Sequence, residues 1–263
     1  MLIDTHCHLD AAEFDADRDA VIDASARAGV RALLIPGVDA GNLSTVRDLA
    51  HRFPGGCYAL GIHPIYVDRA RDEDLKLLKR AVEAALPDPR FVAIGEIGLD
   101  HFLPGLDRER QRMFLEAHLR LARDFDLPVV LHVRRAQDAV LGSLRRIRVR
   151  GGIAHAFNGS LQQAEAYTGL GFALGFGGAM TFTRALRIRK LAMELPDEAH
   201  VLETDAPDIS PEWLHPARNE PAQVARIADV FAGLRGRDVE EVAAITGANA
   251  RRVLPRLATM LDG

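Results

Sequence analysis

Eight short apolar runs, each followed by a segment of helical character, recur along the chain and leave few architectures open. The runs are "LIDTHCH" (2–8), "RALLIPG" (31–37), "YALGIHP" (58–64), "FVAIGEIGL" (91–99), "PVVLHV" (128–133), "GGIAHAF" (151–157), "GFALGFGG" (171–178) and "HVLETDA" (200–206). Between them lie amphipathic stretches such as "DADRDAVIDASARAG" (15–29), closed by Gly29, and "RERQRMFLEAHLRLARDFD" (108–126), with apolar residues at helical spacing. Strand then helix, eight times over, predicts an α/β chain folded as a TIM-type (β/α)8 barrel. A doubly wound open sheet would carry a glycine-rich turn after its first strand. Here that strand runs into "HLDAAEFDADRD", which has no glycine. No linker or low-complexity stretch interrupts the rhythm, so residues 1–263 read as a single domain. The longest irregular stretch, 205–221, follows the eighth strand and is expected over the barrel mouth.

Composition narrows the function classes. Hydrophobic residues make up 48% and charged residues 27% of the 263 positions, as in ordinary globular domains, and the net charge is −4. That balance argues against a broad basic nucleic-acid surface. The cations are nearly all arginine; the only lysines are Lys76, Lys79 and Lys190. Cys7 and Cys57 make no disulfide framework and suit a reducing compartment. Asp4 and His6 break any apolar leader, and no run of about 20 apolar residues exists. A cytoplasmic monomer with no membrane attachment is the expectation.

In such a barrel the reactive face is the C-terminal end of the strands. The predicted strand ends carry His6 and His8, His63, Glu96, His132, His155 and Asp205, and ionisable groups are rare in buried strands unless paired or bound to metal. Residues i and i+2 of a strand share a face, so His6 and His8 aim together into the mouth, while Cys7 points outward. Four histidines and two carboxylates exceed one tetrahedral zinc with an open position and suit two ions. Glu96 has two oxygens with which to bridge them. A lysine bridge is not available, because all three lysines fall in helical patterns. His51 and His118 fall on helical stretches and His200 opens the eighth strand at its far end; these three read as structural or solvated.

"DTHCHLD", "GIHP", "GEIGLD", "LHVRRA", "HAFNGS", "ETDAP" and the later "RNEP" stand in the order and spacing of the TatD-like metal-dependent deoxyribonucleases of the amidohydrolase superfamily, which this chain resembles from residue 4 to 221. The resemblance implies a barrel with two divalent ions (Zn²⁺, Mg²⁺ or Mn²⁺) at its mouth. It implies His6, His8, Glu96 and Asp205 as ligands of one ion, and Glu96, His132 and His155 as ligands of the other. His63 and Arg134 correspond to contacts with substrate phosphate. Such ions activate water near neutral pH and clamp an in-line displacement, with Glu96 and Asp205 as the catalytic carboxylates; Asp205 accepts or orients the proton. The implied activity is hydrolysis of DNA phosphodiesters from the 3′ end of single strands. The alternative is a hydrolase of a small phosphoester, lactone, amide or aminoacyl ester on the same two-ion site. Two features bear on substrate. The 205–221 loop, expected to touch it, retains one cation, Arg218; Tyr66, Phe102, Phe157 and Trp213 fall in expected mouth loops, where rings stack on bases or simply pack.

Overall fold

A computed structural model describes residues 1–263. Eight parallel strands run in sequence order around a barrel: β1 (Leu2–Asp4), β2 (Val30–Pro36), β3 (Gly56–Leu60), β4 (Phe91–Asp100), β5 (Val129–Arg134), β6 (Gly152–Ala154), β7 (Phe172–Phe176) and β8 (His200–Leu202). Helices α1 (Arg18–Arg27), α2 (Leu43–Ala50), α3 (Asp72–Ala85), α4 (Arg108–Asp124), α5 (Gln137–Arg146), α6 (Leu161–Thr168), α7 (Leu186–Glu194) and α8 (Gln223–Arg235) alternate with them. Two more, α9 (Val239–Val253) and α10 (Pro255–Asp262), follow. The (β/α)8 barrel read from the sequence is the fold. No helix is long and apolar enough to cross a membrane.

The first strand is shorter than the apolar run 2–8. It stops at Asp4 because the buried Asp4 carboxylate takes over local hydrogen bonding: Oδ1 accepts from the His6 N–H (3.2 Å) and from the Thr204 N–H (3.0 Å), and Oδ2 accepts from the Thr204 hydroxyl (2.6 Å). The chain from Thr5 to His8 then threads between its neighbours. Thr5 donates to the Leu202 carbonyl, Cys7 to Leu34 and His8 to Ala206, while Asp205 donates back to His6. A parallel bridge of Cys7 with Ala206 closes the barrel here. The closure seam therefore holds His6, His8 and Asp205 side by side.

Apolar burial separates into two layers. The larger, of 52 buried residues, lies chiefly between strands and helices. The smaller, of 15, fills the barrel floor with Ala59, Val130, Ile153, Ala173 and Val201, and is plugged from below by Ala250, Val253 and Leu257 of the last two helices and by Leu254 between them. Strand alternation carries this floor up to the mouth. Two residues past Val130 stands His132, and two past Ile153 stands His155. Four past Ala59 stands His63, and two and four past Val201 stand Glu203 and Asp205. The polar mouth is thus the next layers of the same inward face.

Gly98 makes one of these alignments possible. A Cβ there would lie 1.9 Å from the His132 carbonyl oxygen, and φ is +154°. Only glycine lets β4 approach β5 this closely.

Two histidines serve packing. His118 Nε2 accepts from the Ile62 N–H at 3.1 Å, and His200 lies between the rings of Phe176 and Phe231. Burial lowers each to about 4, so both are neutral in the fold. The unfolded chain binds those protons below about pH 6.5, so stability is present above that pH and drains away as pH falls towards 4. His200→Phe keeps the ring and removes the titration. Denaturant unfolding should show the wild type losing about 2 kcal/mol more than this variant between pH 7.5 and pH 5. Equal losses would assign the acid sensitivity to other groups.

Candidate metal centre

Glu96 lies at the centre of the mouth with no solvent exposure. Its two oxygens face different partners. Oε2 stands 3.1 Å from His6 Nε2 and 3.4 Å from His8 Nε2. Oε1 stands 3.0 Å from His132 Nδ1, 3.3 Å from His63 Nε2 and 3.6 Å from His155 Nε2. Asp205 Oδ1 completes the first side, 3.5 Å from His6 Nε2 and 3.7 Å from His8 Nε2, and 4.0 Å from His155 Nε2. His6 and His155 stack with ring centroids 3.8 Å apart, so His155 faces both sides.

All eight residues singled out from the sequence line or floor one cavity. The mouth, of about 840 Å³, is lined by His8, His63, Glu96, His132, Arg134, His155 and Asp205, with His6 buried beneath. His63 lies deeper than a rim contact: it is buried, and its Nε2 is 3.0 Å from His132 Nδ1. Arg134 is more open, its side chain 47% exposed and its guanidinium 3.8 Å from the centre of the Phe102 ring. His101 is partly exposed and does not line the mouth.

Three buried carboxylates escaped the sequence reading. Asp100 Oδ2 is 3.2 Å from His132 Nε2, and its Oδ1 accepts from the N–H groups of Phe102 and Leu103. Glu203 Oε1 is 3.3 Å from His155 Nδ1 and accepts from the Ala156 N–H at 2.5 Å. Gly175 makes room for it, since a Cβ there would lie 2.2 Å from Glu203 Oε2. Asp4 anchors the closure seam described above.

Two loop residues differ from expectation. Arg218 is not free for substrate: it is paired with Asp17 (2.7 Å) and Glu220 (2.9 Å), bonds the Glu13 carbonyl and covers the Phe14 ring. It ties the 205–221 loop to the chain after β1. Trp213 donates to Gln223 and lies under Arg226, packed on α8, while Tyr66 and Phe157 do line the mouth.

The donor chemistry fits cations. His6, His8 and Glu96, then His6, His155 and Asp205, then His63, Glu96 and His132, each bring ligand atoms within 4.8 Å of one another. Ligand atoms around a tetrahedral ion stand about 3.4 Å apart, close to the spacings seen here. Glu96 Oε2, though 3.1 Å from an imidazole nitrogen, has no hydrogen-bond partner, so these atoms converge on a common point instead of pairing. Burial pushes the Glu96 carboxyl up, but His63, His6 and His155 pull it well below the usual range, so it is ionised. Burial holds His6 low, leaving a lone pair to donate, and holds His63 down to about 4; His63 Nδ1 accepts from the Ile65 N–H, so its Nε2 carries the proton. His8 is raised to about 9: burial opposes protonation, and hydrogen bonding and charge from Glu96 outweigh it. Cation binding there releases a proton.

The model of the TatD related DNase family matches residues 3–255. The chain belongs to this family. Its TatD relatives match nearly end to end. The metal-dependent hydrolase YjjV of Escherichia coli is 40% identical over 92% of this chain and 93% of its own. The YjjV crystal structure superposes with a TM-score of 0.92 at 38% identity, covering 97% of this chain and 98% of that one. The 3′-5′ ssDNA/RNA exonuclease TatD of Erwinia billingiae is 34% identical, covering 96% and 98% of the two chains. Human deoxyribonuclease TATDN3 is 33% identical, covering 99% and 97%. As a TatD protein the chain is a metal-dependent hydrolase, and its mouth cluster is the candidate centre.

Proposed function

We propose that this protein, acting as a monomer of one domain (1–263), hydrolyses phosphodiesters at the 3′ end of single-stranded DNA with two divalent ions. The observation that carries the two-ion reading is the division of the Glu96 oxygens between two donor groups. His6, His8, Glu96 and Asp205 would hold one ion; Glu96, His132 and His155 would hold the other. Zn²⁺, Mg²⁺ and Mn²⁺ all suit this mixed imidazole–carboxylate set. When bound, such ions supply charge to the phosphoryl oxygens and bring a water's pKa near neutrality.

The chain's own groups do the rest. Asp205 takes the proton of the attacking water. Its side chain is 14% exposed, against 0% for Glu96, so it alone of the two carboxylates passes a proton on to solvent. Burial raises it to about 6, against the pull of His155 and His8, which suits a base near neutral pH. Arg134 and His63 hold the substrate phosphate from opposite sides of His132. The names of the Erwinia and human relatives support a nucleic-acid substrate.

Asp100 positions His132 by accepting from its Nε2, which leaves Nδ1 towards Glu96. Asp100→Asn should weaken binding of the ion nearest His132 by about 10–100-fold in a metal titration, with the fold retained. Unchanged affinity would remove Asp100 from the centre.

Digestion of end-labelled single-stranded DNA, with Mg²⁺, Mn²⁺ or Zn²⁺ beside an EDTA control, tests the function. Stepwise loss from the 3′ end, absent with EDTA, is expected. The pairing of Arg218 favours one second reading, a small phosphoester, because it leaves the 205–221 loop without a free cation for an extended strand. Cleavage of a small aryl phosphodiester but not of DNA would establish that reading instead.

A further inference from the structure

A second groove opens beside the mouth and shares Arg134 and Asn158 with it. It has a volume of about 520 Å³, and its wall includes Phe102, Arg135, Ser160 and Arg187. Three arginines converge there and no Asp or Glu lines it, in a chain whose net charge is −4. The side chains of Arg135 and Arg187 form no ion pair, whereas Arg218, Arg235 and Arg237 are all tied to carboxylates. Of the nearby carboxylates, Asp100 lies 3.2 Å from His132 and only 4.0 Å from Arg134, and Asp138 accepts from Gln163.

The fold directs further positive potential to the same place. Gln137 opens α5, Ser160 caps α6 and Arg187 is the second residue of α7, so three helices begin around the groove. Arg135 is held with φ +54°, a left-handed backbone unusual for a side-chain-bearing residue. Its guanidinium lies 4.7 Å from the centre of the Phe102 ring, beside that of Arg134 at 3.8 Å. Phe102 itself is 42% exposed. The Arg135 guanidinium lies on this exposed ring with no carboxylate paired to it, and Arg134 beside it has only a 4.0 Å approach to Asp100, an arrangement suited to bidentate capture of a phosphate.

We propose that this groove is a second phosphate subsite, which takes a phosphate of the same polynucleotide strand next to the one held at the metal centre. Arg134 stands between the two subsites, and Arg135 and Arg187 belong to the outer one. The inference rests on the phosphodiesterase reading above and adds to it a requirement: the preferred substrate carries at least two phosphates in one chain. The groove also reconciles a polyanionic substrate with a negative net charge, since the cations a strand needs are gathered in one place and not spread over the surface.

The test compares wild type with the double variant Arg135→Ala/Arg187→Ala, both loaded with Mn²⁺. The substrates are bis(p-nitrophenyl) phosphate, which has one phosphate, and a thymidine tetranucleotide. The variant should raise KM for the tetranucleotide about tenfold and leave turnover of the small diester within twofold. Binding of a labelled thymidine octamer, followed by anisotropy, is measured at the same time and does not depend on cleavage. The slope of log affinity against log salt should become shallower by about 0.7 for each phosphate that the variant no longer neutralises. If the wild type binds the octamer without cleaving it and the variant loses that binding, the subsite stands and the nuclease reading falls. If the variant cleaves and binds the oligonucleotides as the wild type does, the subsite falls and the nuclease reading stands. Equal loss on both substrates overturns the subsite as well.

Discussion

Glu96→Ala is expected to lower hydrolysis by about 10³-fold and to deplete the centre of metal. The carboxylate is fully buried and turns one oxygen to each donor group. Removing it leaves His6, His8, His63 and His132 crowded around a void, with His6 and His8 Nε2 only 3.2 Å apart and His63 and His132 nitrogens 3.0 Å apart. Neither pair then has the anion that offsets its cation's charge, so loss is expected at both positions, not one. Metal content by atomic emission, beside rates and circular dichroism, separates this from unfolding. Glu96→Gln keeps the volume and one acceptor oxygen while removing the charge, and should retain the fold with metal content reduced. An alanine variant that keeps two ions and turns over within a few-fold of wild type would sink the two-ion assignment.

Glu96 was legible in the sequence because it interrupts a strand otherwise fit for burial, and the same signal exposed His6, His8, His132 and His155. The barrel itself followed from counting strand and helix signals, which depend on local pattern alone. What escaped were groups whose roles rest on distant partners. Asp100 stands four residues past Glu96 on β4, and Glu203 stands two before Asp205 just beyond β8, so their even spacing offered a clue to both. Their function, though, is to meet His132 and His155, 32 and 48 residues off in sequence. Arg218 shows the opposite error. Read locally it is a lone cation in a loop beside the mouth. Folded, it meets Asp17, 201 residues earlier. The end of β1 at Asp4 has the same origin, since Thr204 lies 200 residues away. Barrel closure brings the two ends of the chain together, and pairings across that seam have no periodic trace in sequence.

That seam is also where the second large effect is expected. Asp205→Asn should leave fold and most of the metal in place and lower turnover by about 10²–10⁴-fold. Asp205 contributes one oxygen at 3.5–3.7 Å from His6 and His8, at the margin of a set that His6, His8 and Glu96 already complete at 3.1–3.4 Å. Loss of its charge therefore costs less in binding than loss of Glu96. Its other contribution is basicity, and asparagine has none. The backbone is built to present it: the Asp205 N–H donates to the His6 carbonyl at 2.8 Å, and φ is +60°. Both features survive in asparagine, which tolerates the left-handed region, so the substitution isolates the proton-accepting role. The sign of the pH dependence follows. A base works only when ionised, so wild-type kcat/KM should fall as pH drops through the titration of Asp205, below about 6 in the free cluster and lower with a cation beside it. The asparagine variant should lack that acidic limb. A variant that turns over within a few-fold of wild type, or keeps the limb, would move the proton-accepting role to Glu203, the remaining buried carboxylate lining the mouth on that side.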